Sequence, residues 1–205
     1  QWILKQRKTT DYFVIYNKYF KNKRFYRRRV KSDYYSLTNN QISQFDDLIK
    51  KFNKVLGWDW RLLAAQIYQE SRFDPKAKSW AGAKGLMQVM PATAKELGIE
   101  DVTDPIESLR GGTTYLNQIF ERFSDVPDTI NRTKFTLAAF NCGYGHVRDA
   151  QLLAEANNLN PMIWENNVEK MLLALRFPKN YNKDFIKYGY VRGYEPVTYV
   201  RQIYE

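Results

Sequence analysis

The stretch Leu62-Leu63-Ala64-Ala65-Gln66-Ile67-Tyr68-Gln69-Glu70 constrains the fold more than any other part of the chain. It is apolar nearly all the way round at helical spacing, so it is expected to be a central helix covered on most of its sides. Asp59 stands where an N-cap belongs, ahead of a helix beginning at Trp60. Pro75 disfavours helical geometry at Asp74, so the helix is expected to stop near Ser71 to Phe73.

The flanking segments read as further helices. From Asn40 onward, Ile42, Phe45, Leu48, Ile49, Phe52, Val55 and Leu56 recur at helix spacing, and Gly57 ends that run. Pro91 suits the first turn of a short helix to Leu97. Asp104 with Glu107 has the form of a capping box, with Pro105 at the first position of a longer helix through Phe123. Gly111-Gly112 inside it costs roughly 1 kcal/mol per glycine relative to alanine, which close backbone packing would explain. More helices are expected at about 133–142, 145–157, 162–175 and 195–204. Ser79-Trp80-Ala81-Gly82-Ala83-Lys84-Gly85 reads as loop or short hairpin. The fold class is therefore mainly α, with at most a small β-element near 76–90.

Residues 1–37 differ from the rest. Lys21-Asn22-Lys23-Arg24-Phe25-Tyr26-Arg27-Arg28-Arg29 mixes aromatics with dense positive charge and has poor apolar periodicity. It reads as a linker or the tail of a preceding domain, with residues 38–205 as the folded domain. Single-stranded nucleic acid is the competing use for such a segment, but no nucleic-acid-binding motif accompanies it, so no nucleic-acid partner is expected. The net charge of +10 favours an anionic polymer or surface without choosing among them. One cysteine, Cys142, rules out an intrachain disulfide, and one histidine, His146, rules out a His-rich metal site. Neither a metal nor an organic cofactor is expected. Nothing approaches the roughly 18 apolar residues that span a bilayer.

Glu70 is the residue with the most chemical content. It ends an apolar helix on a face shared with Leu63, Gln66 and Ile67. Burial disfavours its charged form, as does the partial negative charge of a helix C-terminus. Both raise its pKa, as a general acid working near neutral pH requires. From position alone an ordinary solvated glutamate at a helix end is the commoner case.

Four blocks bear on that choice. They are Gln69-Glu70-Ser71-Arg72-Phe73-Asp74-Pro75, Gly85-Leu86-Met87-Gln88-Val89-Met90-Pro91, Ala139-Phe140-Asn141-Cys142-Gly143, and Glu195-Pro196-Val197-Thr198-Tyr199-Val200. In this order they resemble the soluble-lytic-transglycosylase family, which has a goose-lysozyme-like fold, over roughly residues 40–205. Gly57-Trp58-Asp59-Trp60-Arg61-Leu62-Leu63 is similar to a membrane-bound branch in which a solute-binding-type domain precedes the lytic domain.

The resemblance implies a mainly α, lysozyme-like domain acting on peptidoglycan glycan strands, with Glu70 as its single acid and then base. Ser71 would orient the carboxyl, or simply be a hydroxyl ending a helix. Ser79 would approach the acetamido group of the reacting sugar. Met87 and Gln88 would line the cleft, with loop packing the alternative for Met87. Asn141 would bind substrate or fix its loop, and Phe140 stands on the cleft wall where the family usually has Tyr. Tyr199 would set its hydroxyl near Glu70. Asp74 reads as a turn residue, not a second catalytic carboxylate.

Cys142 stands where Ala is usual and, with His146, invites a cysteine-hydrolase reading that their spacing does not support. His146 reads as a surface or capping residue. The remaining alternatives are a hydrolytic muramidase on the same fold and a non-catalytic peptidoglycan-binding module. The substrate implies a periplasmic location, with outer-membrane association through parts absent from this chain; oligomeric state is not legible.

Overall fold

The computed structural model describes residues 41–204; the expected connector over 1–37 lies outside them. Residues Asp47–Glu205 form one compact unit. The helices run in the order α1 (Asp46–Asn53), α2 (Trp60–Ser71), α3 (Pro91–Glu96), α4 (Pro105–Arg122), α5 (Thr129–Cys142) and α6 (Tyr144–Glu155). After a π-type segment at Trp164–Val168 come α7 (Glu169–Ala174), α8 (Pro178–Tyr181) and α9 (Tyr194–Tyr204).

Local chemistry sets most of these boundaries. The Asp59 carboxylate accepts the Arg61 N–H at 2.9 Å and starts α2. Pro91 and Pro105 occupy the first turns of α3 and α4, where no backbone donor is missed. Asp104 accepts the Glu107 N–H at 2.9 Å. Only half of the expected capping box forms, because the Glu107 carboxylate accepts the N–H of Glu100 at 3.0 Å instead. Asp128 caps α5 through the Asn131 N–H, which moves that helix start ahead of the expected residue 133.

Two expectations are corrected. The first apolar run is helical only from Asp46. The preceding amides of Ile42 and Ser43 donate to the Asp46 carboxylate, and a side-chain cap there replaces helical bonds. The helix expected over 162–175 is broken at Glu165 (φ −61°, ψ 130°) and Asn166 (φ 59°, ψ 0°). Asn tolerates the left-handed region better than most residues, and its amide donates to the Glu169 carboxylate at 2.8 Å.

The small β-element is two isolated antiparallel bridges, Lys78 with Lys84 and Lys84 with Val89. They brace the 76–90 loop, whose Lys84 and Val89 exchange backbone hydrogen bonds at 3.0 and 3.2 Å.

The core is built around α5, which packs on α4, α6 and α9. Thr133 and the run Phe135 to Ala139 are all buried, so the middle of α5 is covered on nearly all sides. Phe123, Phe135 and Trp164 pack as tilted or edge-on rings 5.7 and 5.8 Å apart, each worth ~0.5–1.5 kcal/mol beyond the area it buries. α4 approaches both the 76–90 loop and the segment after α3 closely because its paired glycines leave room. A Cβ at Gly111 would overlap the Ile99 side chain, and one at Gly112 would overlap Met87.

The segment between α8 and α9 is tied down by one buried group. The Asp149 carboxylate on α6 accepts the N–H groups of Lys187 at 3.0 Å, Tyr188 at 2.6 Å and Gly189 at 3.3 Å.

Candidate active site

The site forms where α2 packs on α9. Glu70 lies on the last turn of α2, one residue before Ser71 ends the helix, and Tyr199 lies mid-way along α9. The Tyr199 hydroxyl donates to Glu70 Oε1. Burial pushes the Glu70 carboxyl up to about 7, and the hydrogen bond from Tyr199 opposes that shift. Burial also raises Tyr199 well above the ordinary phenol range, as do the charge of Glu70 and the bond to it, so Tyr199 stays a neutral donor.

The backbone beside Glu70 is strained. Arg72 (φ 56°) and Phe73 (φ 64°) are consecutive left-handed residues that are not glycine, and Gln88 across the loop has φ 47°. Such conformations persist only where the surroundings over-determine them, and they gather at functional sites. Phe73 is fully buried and packs at 5.9 Å on the Tyr68 ring, which holds the turn in place. Asp74 closes it by accepting the Lys76 N–H at 2.9 Å, so its carboxylate acts as a turn residue.

The other candidate residues are arranged unevenly. Ser71 is buried and its hydroxyl donates to the Ile67 carbonyl at 3.2 Å, within its own helix. Ser79 closes the loop tip: its Oγ accepts the Ala83 N–H at 3.0 Å. Next to it the Trp80 side chain is fully exposed. Gln88 is half-buried, and its Nε2 donates to the carbonyls of Ala77 at 3.1 Å and Gly85 at 2.9 Å. Met87 is fully buried against Gly112, with its N–H donating to Ser108 Oγ at 3.3 Å, so it packs the loop onto α4 and presents no surface to solvent. Phe140 is half-buried against Tyr115, 5.7 Å between ring centres. Asn141 is exposed beside Gly143, the left-handed residue that ends α5.

Cys142 and His146 are not a catalytic pair. Burial pushes the Cys142 thiol up to about 12, which leaves almost no thiolate at neutral pH. His146 is half-buried, not a surface or capping residue. It lies edge-on to the Tyr188 ring at 6.1 Å, and burial lowers its pKa.

One member of the site was not singled out from sequence. Gln66, one turn ahead of Glu70 on α2, is fully buried with its amide near the Tyr199 hydroxyl, and neither its Oε1 nor its Nε2 completes a hydrogen bond. Its position on the Glu70 face was visible in the sequence; its lack of partners was not.

Fold and site together define a lysozyme-like helical domain with one carboxyl poised to give up a proton near neutral pH. The chain belongs to the transglycosylase SLT domain family, whose profile matches residues 47–163. It is 39% identical over 189 residues to a membrane-bound lytic murein transglycosylase F from Desulfosudis oleivorans, covering 92% of this chain and 41% of that one. A protein of the same name from Yersinia enterocolitica is 43% identical over 171 residues, 82% of this chain and 34% of the relative. The chain thus spans well under half the length of these relatives. Among solved structures, the 70 kDa soluble lytic transglycosylase of Escherichia coli superimposes with a TM-score of 0.53 at 25% identity, over 78% of this chain and 22% of that one.

Proposed function

We propose that this chain is the glycan-cleaving domain of a lytic murein transglycosylase. It breaks the β-1,4 bond between N-acetylmuramic acid and N-acetylglucosamine and leaves a 1,6-anhydromuramyl end. The observation that carries the reading is Glu70, a carboxyl raised to about 7 by burial and gripped on one oxygen by Tyr199.

Because Tyr199 occupies Oε1, the working proton belongs on Oε2. Glu70 gives that proton to the glycosidic oxygen as the C–O bond breaks, and N-acetylglucosamine leaves as an alcohol. Positive charge develops at the muramyl anomeric carbon, where the substrate's own N-acetyl oxygen stabilises it. Glu70, now ionised, takes the proton of the muramyl C6 hydroxyl, and that oxygen closes on the anomeric carbon. No water is consumed, and Glu70 ends protonated for the next turnover. A pKa near neutral suits a group that is acid in one step and base in the next. Ordinary glycosidases divide these tasks between two carboxylates, and substrate-assisted families are the recognised exception.

The exposed Asn141, the half-buried Phe140, Gln88 and Ser79, and the exposed Trp80 are the groups available to hold the glycan. In this reading Ser71 and Met87 act indirectly, by fixing the helix end and the loop. The same reading places the domain in the periplasm, where murein lies. It takes residues 1–37 as the connector from a preceding solute-binding-like domain in a membrane-associated protein.

The test is mass spectrometry of muropeptides released from purified peptidoglycan. Products one water lighter than those of a muramidase support the reading. Hydrated products would make the domain a hydrolase, and no products would make it a binding module. Glu70→Gln is expected to abolish cleavage while leaving the helical circular dichroism unchanged.

A further inference from the structure

Gln66 is a buried amide without partners, in the one place where an amide bears on the chemistry. A buried polar atom left unpaired costs ~1–3 kcal/mol, and Gln66 has two such atoms with no exposed surface. Leucine or methionine would fill the space at no such cost, so packing does not account for it. It sits one helical turn before Glu70 on α2, and its amide lies against the Tyr199 hydroxyl, where it favours the phenolate. Tyr199 spends its only proton on Glu70. The phenol oxygen is left with lone pairs to accept a donor, and the Gln66 amide can supply one.

We propose that Gln66 is a positioning residue: its Nε2 is placed to donate to the Tyr199 oxygen, holding the Tyr199 proton toward Glu70 and making the ionised form of Glu70 easier to reach. The chain of donation runs Gln66 to Tyr199 to Glu70, and linked hydrogen bonds polarise one another. An amide is suited to this place because it donates without carrying charge. A lysine would pair with Glu70 and hold it ionised, and a second acid would oppose its ionisation.

Among the described residues, few other charges bear on the group. Arg72 beyond the end of α2 is exposed, and Glu195, one turn ahead of Tyr199 on α9, is exposed and paired with Arg192 at 3.2 Å. On α5, Lys134 faces the Tyr204 end of α9 and pairs with Glu165. As regards cleavage the proposal rests on the glycan-cleaving reading given above; as regards the proton on Glu70 it does not.

The experiment is a carbon-13 NMR titration of the Glu70 carboxyl in the whole chain. Gln66→Met keeps the length of the side chain and removes both polar atoms, so it is expected to fold. It is also expected to raise the Glu70 midpoint by about half to one pH unit, a three- to tenfold gain in proton affinity. In a Tyr199→Phe background the same substitution is expected to add no shift. An unmoved midpoint in Gln66→Met overturns the proposal. So does an equal shift in the Tyr199→Phe background, because the amide would then act without Tyr199.

Should Gln66→Met not fold, the side-chain amide resonances of Gln66 in the unaltered protein serve instead. They are expected to titrate with the Glu70 midpoint and to stop doing so in Tyr199→Phe; amide signals that ignore Glu70 overturn the proposal. With murein as substrate, the alkaline limb of kcat/KM is expected to move up with the NMR midpoint. Absence of cleavage by the unaltered chain would count against the glycan-cleaving reading alone, because the titration still tests Gln66.

Discussion

At the scale of single residues, the site is a problem of one proton. Glu70 has an ordinary value of 4.5 and is raised to about 7 in the fold. Below 4.5 both folded and unfolded chains hold the proton, and the full stability is present. As pH rises from 4.5 to about 7 the unfolded chain ionises first, so stability falls through that window and levels off above it. The fall is on the order of 3–4 kcal/mol at most, since each pH unit that separates the folded from the unfolded value is worth about 1.4 kcal/mol. Glu70→Gln removes this slope, because an amide has no proton to lose and still accepts from Tyr199. Urea midpoints of the two proteins are therefore expected to differ more on the alkaline side of the window than on the acid side, with the variant the more stable. Parallel curves across the window would mean that Glu70 is not held protonated by burial. The position of Glu70 on an apolar helix was legible in sequence because helix spacing is local. The contact with Tyr199 entered only through family resemblance, since spacing alone cannot bring together groups on α2 and α9. Gln66 was placed on the Glu70 face but given no role, because an unpaired amide and a paired one look the same in sequence.

At the scale of elements, the legible parts are those whose causes lie within a few residues. Asp59 and Asp104 begin α2 and α4, Pro91 and Pro105 sit in first turns, and Gly143 ends α5. The break at Glu165–Asn166 was not legible, because apolar spacing runs on across it and the deciding bond, Asn166 to Glu169, is a choice made in three dimensions. Met87 is a similar case. It is fully buried against Gly112, and a glycine gives no side-chain signal of what it accommodates. Gly112→Ala isolates that contact. Helix propensity favours the change by about 1 kcal/mol. The new Cβ, however, would overlap both the sulfur and the Cβ of Met87. The sulfur can swing away, but the Cβ moves only with the loop, and overpacking of this kind costs about 1–3 kcal/mol. The substitution is expected to lower the melting temperature and, because Gln88 is the next residue, to slow glycan cleavage. A melting temperature equal to or above the parent's would show that the loop yields freely and that the close approach of α4 is not what positions it.

At the scale of the whole molecule, the positive charge is not spread as the total of +10 suggests. Residues 1–40 carry 11 of the 32 basic residues and 2 of the 22 acidic ones, so residues 41–205, with 21 against 20, are nearly neutral. On the proposed function, an attraction to the carboxylates of murein peptide stems would have its source in the first forty residues, and cleavage in the rest. Exposed charges are screened by salt, over about 30 Å at 0.01 M and about 3 Å at 1 M. Replacing Arg27, Arg28 and Arg29 together with Gln is expected to weaken co-sedimentation with insoluble murein at low salt and to flatten its salt dependence, while cleavage of short soluble glycans stays as it was. Replacing Lys76, Lys78 and Lys84 on the 76–90 loop removes the same number of charges and is expected to flatten it less, because that loop belongs to the near-neutral part. If the loop lysines flatten it as much, adhesion is a property of the cleaving domain's own surface and the two functions are not divided along the chain.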